Sequence, residues 1–234
     1  MKISIKKNPL IILAAILLVS VCLRFYNLSG VPSGLHADEA SQGYNAFSLF
    51  KTGRDMYGRI LPILFRASGS YQTPIYTYLS IIPVNLLGNT IFSIRFISAL
   101  SGVALVALTY FLLKLWGQKG LIAATVIAIS PWAVHFSRVA VEANLALTIF
   151  ASSIIVFGLS LKKPKYLPLA SLLLGISTHA YYSERVIAVL FLPLFILLFR
   201  KIFLKYKSLL VASLIIFAIT QVPHIYILQT GALT

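Results

Sequence analysis

Two of the five carboxylates in this chain of 234 residues stand side by side, in His36-Ala37-Asp38-Glu39. A carboxylate near a membrane surface, partly desolvated and flanked by a second acid, can act as a general base. Of two adjacent side chains only one normally points into a site. Asp38 is the choice for the base, with Glu39 as its orienting partner. Asp38 also suits the N-cap of a helix opening Glu39-Ala40-Ser41-Gln42, and capping and catalysis are compatible roles. Imidazole and carboxylate ligate Mn, Mg or Zn, but His36-x-Asp38-Glu39 is not a recognised metal spacing. A divalent metal ion therefore stays open as the one cofactor these residue types admit.

Two further clusters carry polar chemistry. Ser137–Asn144 holds Arg138 and Glu142, four apart. On one helical face they would pair; near a bilayer boundary they would form a polar wall of a site. Thr178–Arg185 holds His179, Tyr182 and Arg185. It reads either as an interfacial tyrosine belt with a snorkelling arginine or as a substrate site whose guanidinium grips a phosphate. Gly53–Pro62 has the glycines and proline of a turn that re-enters the interface, with Asp55 paired to a nearby arginine.

What must position these residues is a membrane bundle. The chain is 59% hydrophobic and 11% charged, with a mean hydropathy of +0.92, whereas soluble domains carry about 25% charged residues. The net charge of +15 falls in short Lys/Arg clusters between apolar runs, the pattern of loops at an anionic lipid surface. A nucleic-acid partner would need a basic soluble face, and none is visible. The single cysteine, Cys22, lies in the first apolar run and reads as a buried, inert thiol.

The apolar runs predict about seven transmembrane helices: Leu10–Leu23, Arg95–Trp116, Gly120–His135, Ala143–Leu161, Leu167–Tyr182, Val186–Phe199 and Ser208–Pro223. Several are short for a bilayer and need neighbours. Residues 27–89 form a long first loop carrying interfacial helices. Its apolar stretch Thr73–Leu87 is shorter than the ~20 residues a span needs and holds Pro74, Pro83 and Asn85. With the N-terminus inside, the inner loops collect Lys2, Lys6, Lys7, Lys114, Lys119, Lys162, Lys163, Lys165, Arg200, Lys201, Lys205 and Lys207, twelve of the 20 basic residues. Making Thr73–Leu87 a span would halve that number, against the positive-inside rule. This orientation places all five acids and all four histidines on the outer side. Any proton transfer would then belong to the extracytoplasmic face.

Taken together, the chain resembles the N-terminal half of integral-membrane glycosyltransferases of the GT-C fold. The similarity is to bacterial polyprenyl-phosphate-sugar enzymes related to protein O-mannosyltransferases and lipid A aminoarabinose transferases. It rests on Asp38-Glu39 in a long first outer loop, the Gly53–Pro62 turn, the Ser130-Pro131-Trp132 helix end, the Ser137–Asn144 turn and the Tyr182–Arg185 turn, in that order. The resemblance implies a plasma-membrane (bacterial inner-membrane) transferase with a polyprenyl-phosphate sugar donor, a protein, lipid or glycan acceptor, and an extracytoplasmic site. It implies Asp38 as the catalytic acid position, Glu142 near the acceptor, and Arg185 on the donor phosphate. Arg138, Tyr182 and His179 complete the expected substrate-binding set. Members of that superfamily run longer, so residues 1–234 are expected to form a single transmembrane GT-C-like domain that is the N-terminal portion of a longer enzyme. The competing readings are a truncated, non-catalytic membrane protein and a multi-pass lipid or solute transporter. A transporter would place its ionisable residues near the bilayer midplane; here they fall at helix ends.

Overall fold

The computed structural model describes residues 8–67 and 69–229. Lys2, Lys6 and Lys7, which enter the inside assignment of the N-terminus, lie outside the described residues. Helix α1 (Pro9–Phe25) starts with proline at its first position and with Asn8 as N-cap, whose side chain accepts from Leu10 N–H at 3.0 Å. A polar cap follows. It contains α2 (Ala37–Thr52), the two-stranded antiparallel hairpin β1 (Phe65–Ala67) and β2 (Ser70–Gln72), and α3 (Pro74–Leu87). The remaining helices are α4 (Ile91–Leu115), α5 (Gly120–Ile129), α6 (Pro131–Ser137), α7 (Glu142–Ser160), α8 (Leu167–Ser177), α9 (Tyr182–Leu198), the short α10 (Arg200–Phe203) and α11 (Lys207–Gln229). Helix α4 packs on α5 and α7, α7 on α8, and α8 on α11; α1 lies against α4 and α5, while α2 and α3 pack on one another and on α4.

The burial pattern is inverted relative to a water-soluble bundle. Large apolar side chains face outward along α1, α9 and α11, among them Ile11, Leu18, Leu190, Leu198, Ile215 and Ile219. Between helices lie small and polar residues, including Ser98, Ser101, Ser153, Ser171 and Ser177. In hydrocarbon the outer apolar surface needs no cover, and small residues let helix backbones approach closely. This is an all-α membrane architecture; among the described residues its one sheet is the hairpin in the cap. Cys22 is exposed on α1, not buried, because the first apolar run packs only one side of its helix against the bundle.

Three helical stretches among the described residues are long and apolar enough to cross a membrane: Ile91–Leu115, Glu142–Ser160 and Arg200–Ile227. The pair α5 and α6, bent by 62°, brings the number to four if it forms one broken span. Helices stand at all seven expected positions. However, the expected run Leu167–Tyr182 forms only 11 helical residues, about 17 Å at 1.5 Å per residue. Thr178–Ala180 then turns the chain into α9.

The bend between α5 and α6 has a local cause. Pro131 has no N–H to give the carbonyl of Ile127, so the last turn of α5 leaves acceptors open. Arg24, fully buried on α1, fills them: its guanidinium donates to Ile127 O at 3.1 Å, Ala128 O at 2.9 Å and Ser20 Oγ at 2.8 Å. Gly102 on α4 makes room for this. A Cβ there would run into Ser137 Cβ and come within 2.8 Å of Arg24 Nε. Gly102→Ala is expected to cost about 1–3 kcal/mol, read as a lower thermal unfolding midpoint in detergent. An unchanged midpoint would mean that α4 and α6 are free to separate.

Candidate active site

One end of the bundle gathers the carboxylates. There α1, α6 and α8 end, α4, α7 and α9 begin, and the cap covers them. All five carboxylates lie in the cap or at helix ends beside it. The loops that carry Lys114, Lys119, Lys162, Lys163, Lys165 and Arg200 through Lys207 lie at the other end.

His36, not Asp38, is the N-cap of α2. Its side chain accepts from Asp38 N–H, and the Glu39 carboxylate reaches back to His36 N–H at 3.0 Å, completing a capping box. This geometry separates the two adjacent acids. Glu39 turns inward and is 2% exposed. Its Oε1 accepts from Arg95 Nε at 2.9 Å and from Ala140 N–H at 2.8 Å; its Oε2 accepts from Arg95 Nη2 at 3.1 Å. Arg95, itself buried near the start of α4, also donates to the carbonyls of Leu28, Pro32 and Gly34 at 3.1, 2.8 and 2.6 Å. The pair thus ties α2, α4, the 28–34 segment and the start of the α7 turn together. Burial alone would raise the Glu39 pKa; hydrogen bonds from Arg95, Ala140 N–H and His36 N–H outweigh it and hold the carboxyl below its ordinary value.

Asp38 turns outward, its side chain 56% exposed, into a cleft of about 390 Å³. Gln42, Tyr71, Gln72, Glu142 and Tyr182 share that cleft. The Gln72 amide donates to Asp38 O at 3.0 Å and Oδ1 at 3.4 Å. Glu142, the first residue of α7, is 8% exposed. Its Oε1 accepts from Thr73 N–H at 2.9 Å and from the Gln42 amide at 3.3 Å. No cation among the described residues lies within ion-pair distance of it. The cleft therefore presents two carboxylates from residues 104 positions apart, brought together where α2 meets the start of α7 through the Gln42–Glu142 and Glu39–Ala140 hydrogen bonds.

Tyr182 lines the cleft and donates its hydroxyl to Tyr71 O at 2.9 Å, joining α9 to the hairpin. Arg185, one turn on, stacks its guanidinium over the Tyr182 ring at 4.5 Å and donates from Nε to Thr178 O at 3.4 Å; its buried Nη2 has no partner. Two expected site residues point elsewhere. Arg138 caps α6 and spends its guanidinium on the carbonyls of Leu23, Tyr26, Asn27 and Val31 at 2.7–3.2 Å, tying down the end of α1. It forms no pair with Glu142, because Val139–Val141 break the helix between them. His179 stacks on His224 with ring centroids 4.0 Å apart and bonds Thr220 O, so it faces α11. Asp55 caps its own turn: it accepts from Tyr57 and Arg59 N–H and pairs with Arg59 Nε at 3.2 Å.

Arg95, Gln42 and Gln72 are the site-forming residues not singled out in the sequence. Arg95 left a signal: an arginine opening an apolar helix, with no acid within four residues, requires a distant partner. The glutamines left none. Among the described residues no group of three His, Cys, Asp or Glu side chains comes together to hold a metal ion.

An apolar helical bundle with a polar cap, and with two of its carboxylates sharing a cleft at the capped end, has the build of a GT-C membrane glycosyltransferase. Residues 71–227 match the sequence model of the dolichyl-phosphate-mannose-protein mannosyltransferase family; the chain belongs to that family. The matched segment includes Gln72, Arg95, Glu142 and Arg185 and begins after Asp38 and Glu39. No curated protein and no solved structure matches the chain.

Proposed function

We propose that this chain moves a sugar from a polyprenyl-phosphate donor to an acceptor hydroxyl at the extracytoplasmic face of the plasma membrane, with Asp38 as general base. The family name favours mannose as the sugar and a protein as the acceptor. The observation that carries the reading is the placement of Asp38: accessible, in one cleft with Glu142, and fixed by the Gln72 amide and by the Glu39–Arg95 pair behind it.

In this reading the acceptor oxygen attacks the anomeric carbon while Asp38 takes its proton. The bond between that carbon and the phosphate oxygen breaks, and the lipid phosphate leaves with the bonding pair. Positive charge aimed at the leaving group lowers the barrier. Arg185 supports this role, since one of its N–H groups is buried without a partner beside the cleft-lining Tyr182. Glu142, in the same cleft, holds the acceptor. Glu39 acts through position only.

The face of action rests on seven spans with the N-terminus cytoplasmic. In a Cys22→Ala background, Lys163→Cys should be labelled by a membrane-impermeant maleimide only from the cytoplasmic side. Labelling from outside would reverse the assignment. The activity itself is tested by transfer of labelled sugar from a polyprenyl-phosphate hexose to a serine/threonine peptide in proteoliposomes. Transfer requiring Asp38 is expected; its absence with every such donor would sink the proposal.

A further inference from the structure

The lysine-rich end of the bundle holds a cavity that the transfer reaction does not use. Helix α4 ends in a Schellman motif. Gly117, at φ +72°, donates its N–H to Lys114 O at 3.1 Å, and the Gln118 N–H reaches Leu113 O at 2.8 Å. The turn is tight, and α5 starts directly against α4. A Cβ at Gly120 would stand 2.5 Å from Tyr110 O, so the approach requires glycine there. It brings Lys119, the residue before α5, to the same cavity as Lys114 in the last turn of α4. That cavity measures about 410 Å³; Gln118 lines it with the two lysines, and Pro9 of α1 and Leu121 and Ile122 of α5 supply apolar surface. Lys114 Nζ sits 5.5 Å over the Tyr110 ring, which also lines it.

No side chain offsets this charge. All five side-chain carboxylates lie at the opposite end, and neither lysine has an ion-pair partner among the described residues. A cation in the last turn of α4 suits the negative end of that helix. Lys119 has no such explanation, because it stands at the positive end of α5. Two ammonium groups and the Gln118 amide together favour an oxyanion. A second cavity shows what the anion is attached to. An apolar groove of about 240 Å³ lies between α1 and α5, lined by Ile12, Ile16 and Val19 on one side and by Thr125 and Ile129 on the other. Pro9, Ile12, Ile16 and Val19 recur at intervals of three and four, as do Ile122, Thr125 and Ile129, so the groove continues the cavity along one face of each helix. The Thr125 hydroxyl is spent on Leu121 O at 2.9 Å, which leaves the groove apolar.

We infer that the seam between α1 and α5 is a binding site for one anionic phospholipid, with its phosphate between Lys114 and Lys119 and an acyl chain in the groove. Cationic cavities between apolar helices at a membrane surface take anionic headgroups. Here the cationic cavity and the apolar slot lie in one line, which is complementary to a charged head on a hydrocarbon chain. The bound lipid joins α1, α4 and α5 at the end that the cap does not reach. The site shares no residue with the carboxylate cleft and does not depend on the transferase reading.

Native mass spectrometry of the detergent-solubilised protein, titrated with dioleoyl phosphatidylglycerol or dioleoyl phosphatidylcholine, tests this. The first phosphatidylglycerol is expected to bind about tenfold more tightly than the first phosphatidylcholine, the effect of two lysines at the headgroup. Lys114→Gln/Lys119→Gln should remove that preference. Lys162→Gln/Lys163→Gln takes the same charge from another loop at the same end and should leave the preference within about twofold of wild type, because separated surface charges are screened. Ala15 lines the groove from its exposed side. Ala15→Phe should therefore fill the slot and weaken phosphatidylglycerol binding by about tenfold with both lysines intact. Glycerophosphoglycerol, the same headgroup without chains, should bind too weakly to detect. Equal affinity for the two lipids or equal losses from the two lysine pairs overturns the inference. So does glycerophosphoglycerol binding as tight as that of the intact lipid, which would make the cavity a site for a soluble anion. Ala15→Phe locates the lipid even where the lysine pair fails to insert, and unchanged phosphatidylglycerol binding in that variant removes the chain slot and the inference with it.

Discussion

Asp38→Asn is expected to lower sugar transfer by on the order of 10²–10⁴-fold, the range over which a positioned general base contributes, with membrane insertion and thermal stability close to wild type. The structure separates the two effects. Asp38 is more than half exposed and is not the N-cap of α2; that role belongs to His36, reinforced by Glu39. Asparagine keeps the shape of the side chain and an oxygen that can still accept from the Gln72 amide, as Asp38 Oδ1 does at 3.4 Å. What it loses is the ability to take a proton from the acceptor hydroxyl. The loss should therefore fall on kcat far more than on KM for the donor. Measurement of initial rates at saturating donor in proteoliposomes, with unfolding midpoints of both proteins in detergent, decides the matter. Unchanged transfer would remove Asp38 from the mechanism. A parallel loss of folded protein would make it structural.

The neighbouring acid is expected to behave in the opposite way. Arg95→Leu should destabilise the protein by about 3–5 kcal/mol, because it strands the Glu39 carboxylate in a buried position without its counter-ion. It also orphans the carbonyls of Leu28, Pro32 and Gly34. Glu39→Leu alone should be damaging for the mirror reason. Pairing the two substitutions should recover part of the loss, since an uncharged pair strands no ion. Unfolding midpoints of the two single variants and the double variant give the coupling directly. Additive losses would show that the 2.9 Å contact carries no interaction energy. The same pair predicts an acid limb. Glu39 is held below its ordinary value of 4.5 in the folded protein. Its contribution is therefore fully present above pH 4.5 and is lost as pH falls below that, through the folded value. Glu39→Gln should flatten stability against pH in that range and leave it unaltered near neutrality, apart from a constant offset.

These two predictions show why adjacency in sequence was a poor guide to role. Side chains at successive positions of a helix project about 100° apart, so Asp38 and Glu39 could not share one environment. That much followed from the sequence. Which of them would turn inward depended on the capping box at His36 and on where Arg95 arrives from α4. The Arg138 and Glu142 pair failed for a related reason: a spacing of four joins side chains only on a continuous helix, and here the chain breaks at Val139–Val141.

The amino-acid sequence by itself determined the apolar helices, the polar cap between α1 and α4, and the segregation of acids and imidazoles from the lysine-rich loops. Hydrophobic length, proline and glycine punctuation and charge clustering are local properties, and they suffice for that. The tertiary structure alone decided how those groups are shared out. It gave Arg24 to the broken α5–α6 pair, Arg138 to the carbonyls at the end of α1, Arg95 to Glu39, and the two glutamines to Asp38 and Glu142. The physical reason is common to all of them. A buried donor or acceptor must be satisfied. A long side chain has several partners within reach, and which one it meets is settled by how helices distant in sequence cross at the capped end of the bundle.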